Sequence, residues 1–267
     1  MLINTPTLDY MTVTTSSDTL AAEWYQNYNL GNDDDEIHRR FNYKGNQWYE
    51  HGGTWFLGHG TQENANHYMF VASGSAANVM LERVGSDLAS GSCACTRLDV
   101  QITLDKPDWW KQSRLIVMCE ELGMKPCVER SDGLQEELIS VYTGTRASGR
   151  MNRTYQKEDS DKNQFIRFET EFSREYAKSL AVTLYRGGVT CREVINGEVR
   201  RRRDVNMYEV FFTGDGTYYP KANRKKSLGK TDKWLLQTIA PFIKKYVNSH
   251  DKNTDVVKAL REAIGDD

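Results

Sequence analysis

Several stretches of the chain alternate between apolar and polar residues, a pattern typical of half-buried β-strands. The clearest covers residues 95–104, where Leu98, Val100 and Ile102 fall on one face and polar side chains on the other. Further strands are predicted at residues 8–15, 68–72, 141–145, 150–157 and 164–172. Because only Arg146, Ala147, Ser148 and Gly149 separate residues 141–145 from 150–157, those two strands are predicted to form a hairpin.

Other stretches repeat their apolar residues at helical spacing. One helix is predicted after Ser75 and is expected to end near Gly85, and another is expected to start at Pro107 and to end near Gly123. Residues 189–197 and 207–214 are predicted either to add strands or to belong to a small accessory unit. The remaining predicted helices cover residues 18–28, 174–185, 233–248 and 254–264.

This order of elements predicts an α+β fold, with a central, largely antiparallel β-sheet covered by helices on one face. We expect residues 1–190 to form the core, with 141–172 as its central block. Residues 191–267 are expected to form a C-terminal extension that packs on the core and has a possible role in DNA binding. The chain of 267 residues contains no stretch of 18 apolar residues, and its N-terminal residues do not resemble a signal peptide. A cytoplasmic protein without a membrane partner is therefore expected.

The formal net charge is only −2, so composition alone does not indicate nucleic-acid binding. Its distribution is more informative, because basic residues cluster at 200–203 and again at 221–230. Two basic clusters in the last third of the chain favour contacts with a phosphate backbone, although each one alone is typical of a solvated loop.

The central block carries an unusual set of polar side chains. Period-two alternation places Arg153, Tyr155 and Lys157 on one face of the strand at 150–157. In the same way, Arg167, Glu169 and Glu171 share a face of the next strand. A tyrosine among cations and carboxylates suggests phosphoryl transfer through the tyrosine. The alternative is a solvated outer face, where a tyrosine packs and ion pairs contribute little.

A second polar pair lies on the strand at 95–104. Asp99 and Gln101 are two residues apart and would present two oxygen ligands on one face, with Glu169 or Glu171 as the third ligand from a neighbouring strand. Oxygen ligands favour Mg²⁺ or Mn²⁺ over zinc. In this hypothesis Tyr155 attacks a phosphodiester and forms a 5′-phosphotyrosine link. Basic residues then hold a phosphate oxygen or lower the pKa of the phenol, and the candidates are Arg146, Arg153 and Lys157.

Three blocks of residues in this region resemble those of a known family. They are Tyr142-x-Gly144-x-Arg146-x-Ser148-Gly149-Arg150, Arg153-Thr154-Tyr155-Gln156-Lys157 and Ile166-Arg167-Phe168-Glu169-Thr170-Glu171-Phe172. Together with Arg97-Leu98-Asp99, they are similar to the rolling-circle replication initiators of the Rep_trans type. That family includes staphylococcal plasmid initiators, filamentous-phage replication proteins and related relaxases.

The resemblance implies an HUH-endonuclease-like or RRM-like nickase core. It makes Tyr155 the nucleophile, Asp99 and Glu169 the leading metal ligands, and Arg146 and Lys157 the cations beside the phosphate. Gln101, Thr103 and Gln156 depart from the family pattern and leave the third metal ligand open between Gln101 and Glu171.

The function expected from the resemblance is sequence-specific DNA nicking and joining that starts rolling-circle replication of a plasmid, phage or mobile element. The partners would be single-stranded or hairpin origin DNA, a host helicase and polymerase, and a possible second copy of the chain. Alternatives are a conjugative relaxase and a non-catalytic DNA-binding replication regulator. The residues predicted to contact DNA are Arg150, Arg153, Arg200, Arg201, Arg202, Lys225 and Lys226.

Overall fold

The fold is described from a computed structural model, which covers residues 5–27, 47–51, 55–59, 67–124, 127–129, 140–158, 161, 163–202 and 205–222. Within these residues, nine strands form one sheet in the order β2-β3-β4-β1-β5-β9-β8-β7-β6. All neighbouring strands pair antiparallel. The strands are β1 Thr7–Thr15, β2 Gln47–His51, β3 Trp55–His59, β4 Tyr68–Ser73, β5 Ala94–Asp105, β6 Cys127–Glu129, β7 Ser140–Thr145, β8 Arg150–Glu158 and β9 Gln164–Ser173.

Five α-helices accompany the sheet in the part of the chain that the structure describes. They are α1 Asp18–Asn27, α2 Ala76–Ser90, α3 Gln112–Glu121, α4 Glu175–Tyr185 and α5 Cys191–Arg201. Two short 3₁₀ helices cover Arg146–Ser148 and Asn206–Phe211. The predicted α+β fold with helices on an antiparallel sheet is therefore confirmed.

One face of the sheet forms the hydrophobic core. Val100 and Ile102 of β5 and Phe168 of β9 have no exposed surface; α4 and α5 pack on β5, and α4 also packs on β9. Buried side chains of the helices, including Met80 and Leu180, belong to the same cluster. Since core residues alternate with polar ones along β5 and β9, the polar residues lie on the opposite face.

The helix α2 is longer than the sequence pattern predicted. The expectation that it ends near Gly85 is wrong, because the helix continues to Ser90 and is terminated by Gly91 in the left-handed conformation, with φ 85°. Gly85 instead permits close packing: a Cβ at this position would lie 2.0 Å from the ring of Tyr185 on α4. The glycine in α2 therefore allows α4 to approach closely.

The helix α3 begins later than Pro107. The amide of Trp110 donates to the carbonyl oxygen of Pro107 at 2.9 Å, which makes a turn before the helix starts at Gln112. This turn buries Trp110 completely, with its ring edge against Phe211 at 5.6 Å between centroids. Burial of a large aromatic ring thus outweighs the helix-starting preference of the proline.

Residues 189–197 and 207–214 were expected either to add strands or to belong to a small accessory unit; they add no strands and contribute buried side chains to the main core. Thr190 and Glu193 form a reciprocal capping box that starts α5. The second stretch contains a 3₁₀ helix whose Tyr208 and Phe211 are fully buried beside Phe168. The β-branched residues that suggested a strand are instead the buried side of α5, and the Thr-x-x-Glu spacing was the informative signal.

The chain divides into two compact units, Met1–Asn223 and Arg224–Asp267. The first includes α5 and the second 3₁₀ helix, whose residues share the main core. The division of the chain into a core of residues 1–190 and an extension of residues 191–267 stays a prediction. The predicted helices at 233–248 and 254–264 lie outside the described residues. No helix within the described residues is long and apolar enough to cross a membrane.

Candidate active site

Tyr155 lies on β8, on the face of the sheet opposite the helices, where it pairs in register with Arg167 of β9. Its hydroxyl group donates to Oε2 of Glu169 at 3.3 Å and accepts from Nη1 of Arg167 at 3.4 Å. The guanidinium of Arg153 lies 5.0 Å from the centre of the tyrosine ring. The structure therefore brings together Tyr155, Arg153 and Glu169 as the sequence predicted.

The surroundings hold this phenol in its protonated form. Burial and the neighbouring Glu169 carboxylate raise the pKa of Tyr155 to about 12, although Arg167 and Arg153 act in the opposite direction. A nucleophilic tyrosine must lose its proton, and Glu169 is the described group that already accepts the hydroxyl hydrogen bond. The site thus places a phenol beside a carboxylate that accepts its hydrogen bond, and the role of Tyr155 as a nucleophile stays a prediction.

Arg167 and Asp9 are functional candidates that sequence reasoning did not select. Arg167 donates to Tyr155, to Oγ1 of Thr103 at 3.0 Å and to the carboxylate of Asp9 at 3.3 Å. Asp9 sits at the β-bulge where the register between β1 and β5 shifts from Leu8 to Tyr10. A bulge can redirect a side chain toward a neighbouring site. Alternation had placed Arg167 on this face, but no pattern in the sequence pointed to Asp9.

The predicted metal ligands are also neighbours. Asp99 pairs directly with Glu171 across β5 and β9, and Gln101 pairs with Glu169. All four side chains are buried, with exposures of 1% to 7%. Burial, together with Glu169 and Glu171, raises the pKa of Asp99 to about 7, against the influence of Arg97.

Arginines neutralise these buried carboxylates. Nε of Arg97 donates to Asp99 at 2.9 Å, and its Nη2 lies 3.3 Å from Glu171. Nη2 of Arg153 donates to Glu169 at 2.6 Å. Like charges that face each other across two strands are destabilising unless a cation lies between them, and the arginines supply that charge here.

The donor set is chemically suited to a hard divalent cation, because it consists of carboxylate and amide oxygens. Among the described residues, however, no three or more His, Cys, Asp or Glu side chains are grouped closely enough to hold an ion. Binding an ion through Asp99 and Glu169 would therefore require these carboxylates to exchange contacts with Arg97 and Arg153. The assignment of Asp99, Glu169, Gln101 and Glu171 as ligands stays a prediction.

Two further cations border the site. Arg146 follows β7, and its side chain is 69% exposed, with Nε 3.3 Å from Glu171. Lys157 is exposed at the end of β8, where partial burial and the charge of Arg167 lower its pKa. Both side chains are accessible, but Arg146 lies beside Glu171, which pairs with Met151, whereas Lys157 is two residues beyond Tyr155 on β8. Their role as phosphate contacts stays a prediction.

The other predicted DNA contacts that the structure describes do not lie beside Tyr155. Arg150 is on the core face of β8, where it pairs with buried Glu198 at 3.4 Å. Arg200, Arg201 and Arg202 lie at the end of α5. The role of these four arginines in DNA binding stays a prediction, and Lys225 and Lys226 lie outside the described residues.

No protein-family model and no curated protein sequence matches this chain. A solved structure that does match is that of a rolling circle replication initiator protein from Geobacillus stearothermophilus. The two chains are 15% identical, with a TM-score of 0.56, and the match covers 73% of this chain and 84% of the other. At this identity the likeness concerns the fold, so the chain shares the fold of a replication initiator.

Proposed function

We propose that the protein is a DNA nicking and joining enzyme that initiates rolling-circle replication through a 5′-phosphotyrosine intermediate on Tyr155. The observation that carries the proposal is the position of the Tyr155 hydroxyl between Glu169, 3.3 Å away, and Arg167, 3.4 Å away. The similarity in fold to a replication initiator adds support. A conjugative relaxase would use the same chemistry on a different DNA.

The chain's own residues can account for the proton transfer. Glu169 accepts the phenolic proton, and the Tyr155 oxygen forms a bond to phosphorus while the bond from phosphorus to the 3′ oxygen breaks. The leaving 3′ oxygen takes up a proton from water and becomes a free hydroxyl, and Glu169 releases the phenolic proton to solvent. Arg167 stabilises the negative charge on the phenolic oxygen before it attacks. Because one phosphodiester is exchanged for another, the reaction can run backwards and join the strand.

The surrounding charges suit a phosphodiester substrate. Arg146 and Lys157 are accessible enough to contact non-bridging phosphate oxygens, and Arg153 can contact DNA next to the tyrosine. When held by Asp99, Glu169, Gln101 and Glu171, Mg²⁺ or Mn²⁺ would supply positive charge for the phosphate. The proposed partners are origin DNA, a host helicase and polymerase, and a second copy of the chain for the cleavage that ends a round of replication.

The test is a search for a covalent adduct. Purified protein is incubated with Mn²⁺ and single-stranded oligonucleotides that tile both strands of its own gene and the flanking DNA, and adducts are detected by denaturing electrophoresis. We expect the wild type and Tyr142→Phe to form the adduct and Tyr155→Phe to form none. Tyr142 is a matched control because it lies on β7 opposite Arg153, on the same face as Tyr155.

Peptide mapping should find the nucleotide on Tyr155. An adduct that persists in Tyr155→Phe would overturn the nucleophile assignment. If specific oligonucleotides bind tightly without any adduct, the non-catalytic DNA-binding regulator becomes the better interpretation.

A further inference from the structure

We propose that the C-terminal end of α5 and the following 3₁₀ helix form a stacking site for the bases of single-stranded DNA. This surface, the α5 platform, consists of Val199, Arg200, Glu209 and Phe212, with Arg201 and Tyr219 beside it. The proposal rests on the proposed function for its substrate class. It replaces the expectation that the basic cluster at 200–203 contacts DNA through the phosphate backbone alone.

The first observation is a cavity at this position. Val199, Arg200, Glu209 and Phe212 line a space of about 370 Å³, which is within the range of small-molecule sites. The guanidinium of Arg200 lies 4.8 Å from the centre of the Phe212 ring. Val199 is buried and gives the cavity an apolar wall, while Arg200 and Glu209 are exposed at its rim. The cavity thus combines an apolar surface with two charged groups.

The second observation is a repeat of the same pairing on the next residue. The guanidinium of Arg201 lies 5.3 Å from the centre of the Tyr219 ring, and Tyr219 is 43% exposed. Consecutive residues of α5 therefore each hold an aromatic ring from the segment that follows. Proteins that bind single strands combine cations with aromatic rings on which successive bases stack. Phosphate binding alone would require the arginines but would give no role to the rings.

The chemistry of the rim suggests which bases are preferred. A carboxylate accepts hydrogen bonds, so Glu209 can accept from the exocyclic amino group of cytosine but finds no equivalent donor on the corresponding atom of thymine. The planar guanidinium of Arg200 can lie flat against a base in a way that a lysine ammonium cannot. We therefore expect the α5 platform to favour cytosine-containing single strands over thymine-containing ones.

The α5 platform is separate from the nicking site. It belongs to the helix that packs on the core face of β5, whereas Tyr155 faces the other side of the sheet. Bases bound there would belong to single-stranded DNA away from the attacked phosphodiester. The platform can thus be tested without any nick site in the oligonucleotide.

The experiment measures binding of fluorescent 12-nucleotide probes by anisotropy: oligo(dC), oligo(dT) and a fully abasic strand. Arg200→Lys and Phe212→Leu are compared with Arg192→Lys, a matched control on an exposed position of the same helix. We expect each platform variant to bind oligo(dC) about tenfold more weakly, with unchanged binding of the abasic strand. The control should bind like the wild type. Glu209→Gln, at an exposed position, should reduce the preference for oligo(dC) over oligo(dT) without affecting folding.

Photo-crosslinking of a strand containing 5-iodocytosine should locate the base on Phe212 or Tyr219. The proposal is overturned if Arg200→Lys and Phe212→Leu bind oligo(dC) as the wild type does, or if they weaken oligo(dC) and the abasic strand equally. If the stacking proposal is wrong, the wild type still forms the Tyr155 adduct. If the nicking proposal is wrong, no adduct forms, but binding still depends on the bases. The two proposals can therefore fail independently.

Discussion

Replacing Arg167 by methionine tests whether this arginine activates the tyrosine. The side chain is 13% exposed and donates to Tyr155 at 3.4 Å, to Thr103 at 3.0 Å and to Asp9 at 3.3 Å. Methionine keeps the apolar bulk but removes the charge and all three donors. Since Arg167 lowers the pKa of Tyr155, the variant should make the phenol harder to deprotonate.

The magnitude follows from the geometry. Removing one donor that stabilises a reacting oxyanion slows catalysis by about 10² to 10³. The 3.4 Å distance is long for a hydrogen bond, so we expect a value near the lower end, about a hundredfold. The free energy of unfolding should fall by only about 1–2 kcal/mol, because water can reach the partly exposed Asp9 after the substitution.

The assay is the single-turnover rate of adduct formation at saturating oligonucleotide, with the dissociation constant measured separately. Arg192→Met is the control, since it removes the same charge from an exposed position of α5. We expect the rate to fall for Arg167→Met and to stay unchanged for the control, with little change in DNA affinity for either. If the loss is found in affinity alone, or if Arg192→Met slows the reaction equally, then Arg167 does not act on the tyrosine.

Three further predictions concern pH and stability. Burial raises the pKa of Tyr155 to about 12, so very little phenolate forms by loss of the proton to solvent, and the proposed transfer of that proton to Glu169 predicts a rate that changes little between about pH 8 and about pH 9. Adduct formation quenched at fixed times checks this, and a rate that rises about tenfold per pH unit would show that the phenol loses its proton to solvent instead. Glu198→Ala leaves Arg150 without its buried partner and should lower the free energy of unfolding by about 3 kcal/mol. Denaturant titration measures this, and an unchanged unfolding midpoint would show that the ion pair contributes nothing to stability. Gly197→Ala should lower the free energy of unfolding by about 2 kcal/mol, because the new Cβ would lie 1.9 Å from the carbonyl oxygen of Tyr218. Thermal unfolding measures this, and wild-type stability would mean that the backbone at Tyr218 moves freely to make room.

Much of the candidate site could be predicted from local sequence patterns. Alternation along β8 and β9 correctly assigned Tyr155, Arg153, Glu169 and Arg167 to one face, because the side-chain period of a strand is a property of the strand itself. The same argument placed Asp99 on the polar face of β5. These assignments needed no knowledge of which strands are neighbours.

Other features depend on contacts between distant parts of the chain. Asp9 reaches Arg167 from a position 158 residues away, through a bulge that depends on how β1 pairs with β5. The basic run at 200–203 indicated charge only, whereas the pairing of Arg200 with Phe212 and of Arg201 with Tyr219 depends on the path of the following segment. Gly85 suggested the end of a helix because its packing partner, Tyr185, is on another helix.

The sequence by itself predicted six of the nine described strands, their two faces and the types of reactive side chains, because these follow from periodicity and residue chemistry. The tertiary structure decided which of these side chains meet. Registers between β5 and β9 and between β8 and β9 place Gln101, Glu169 and Arg153 in one row, and Thr103, Arg167 and Tyr155 in the next. The physical reason is that the register of strands far apart in the chain is fixed by burial of the core face of the whole sheet, and a shift of one residue would reverse every face.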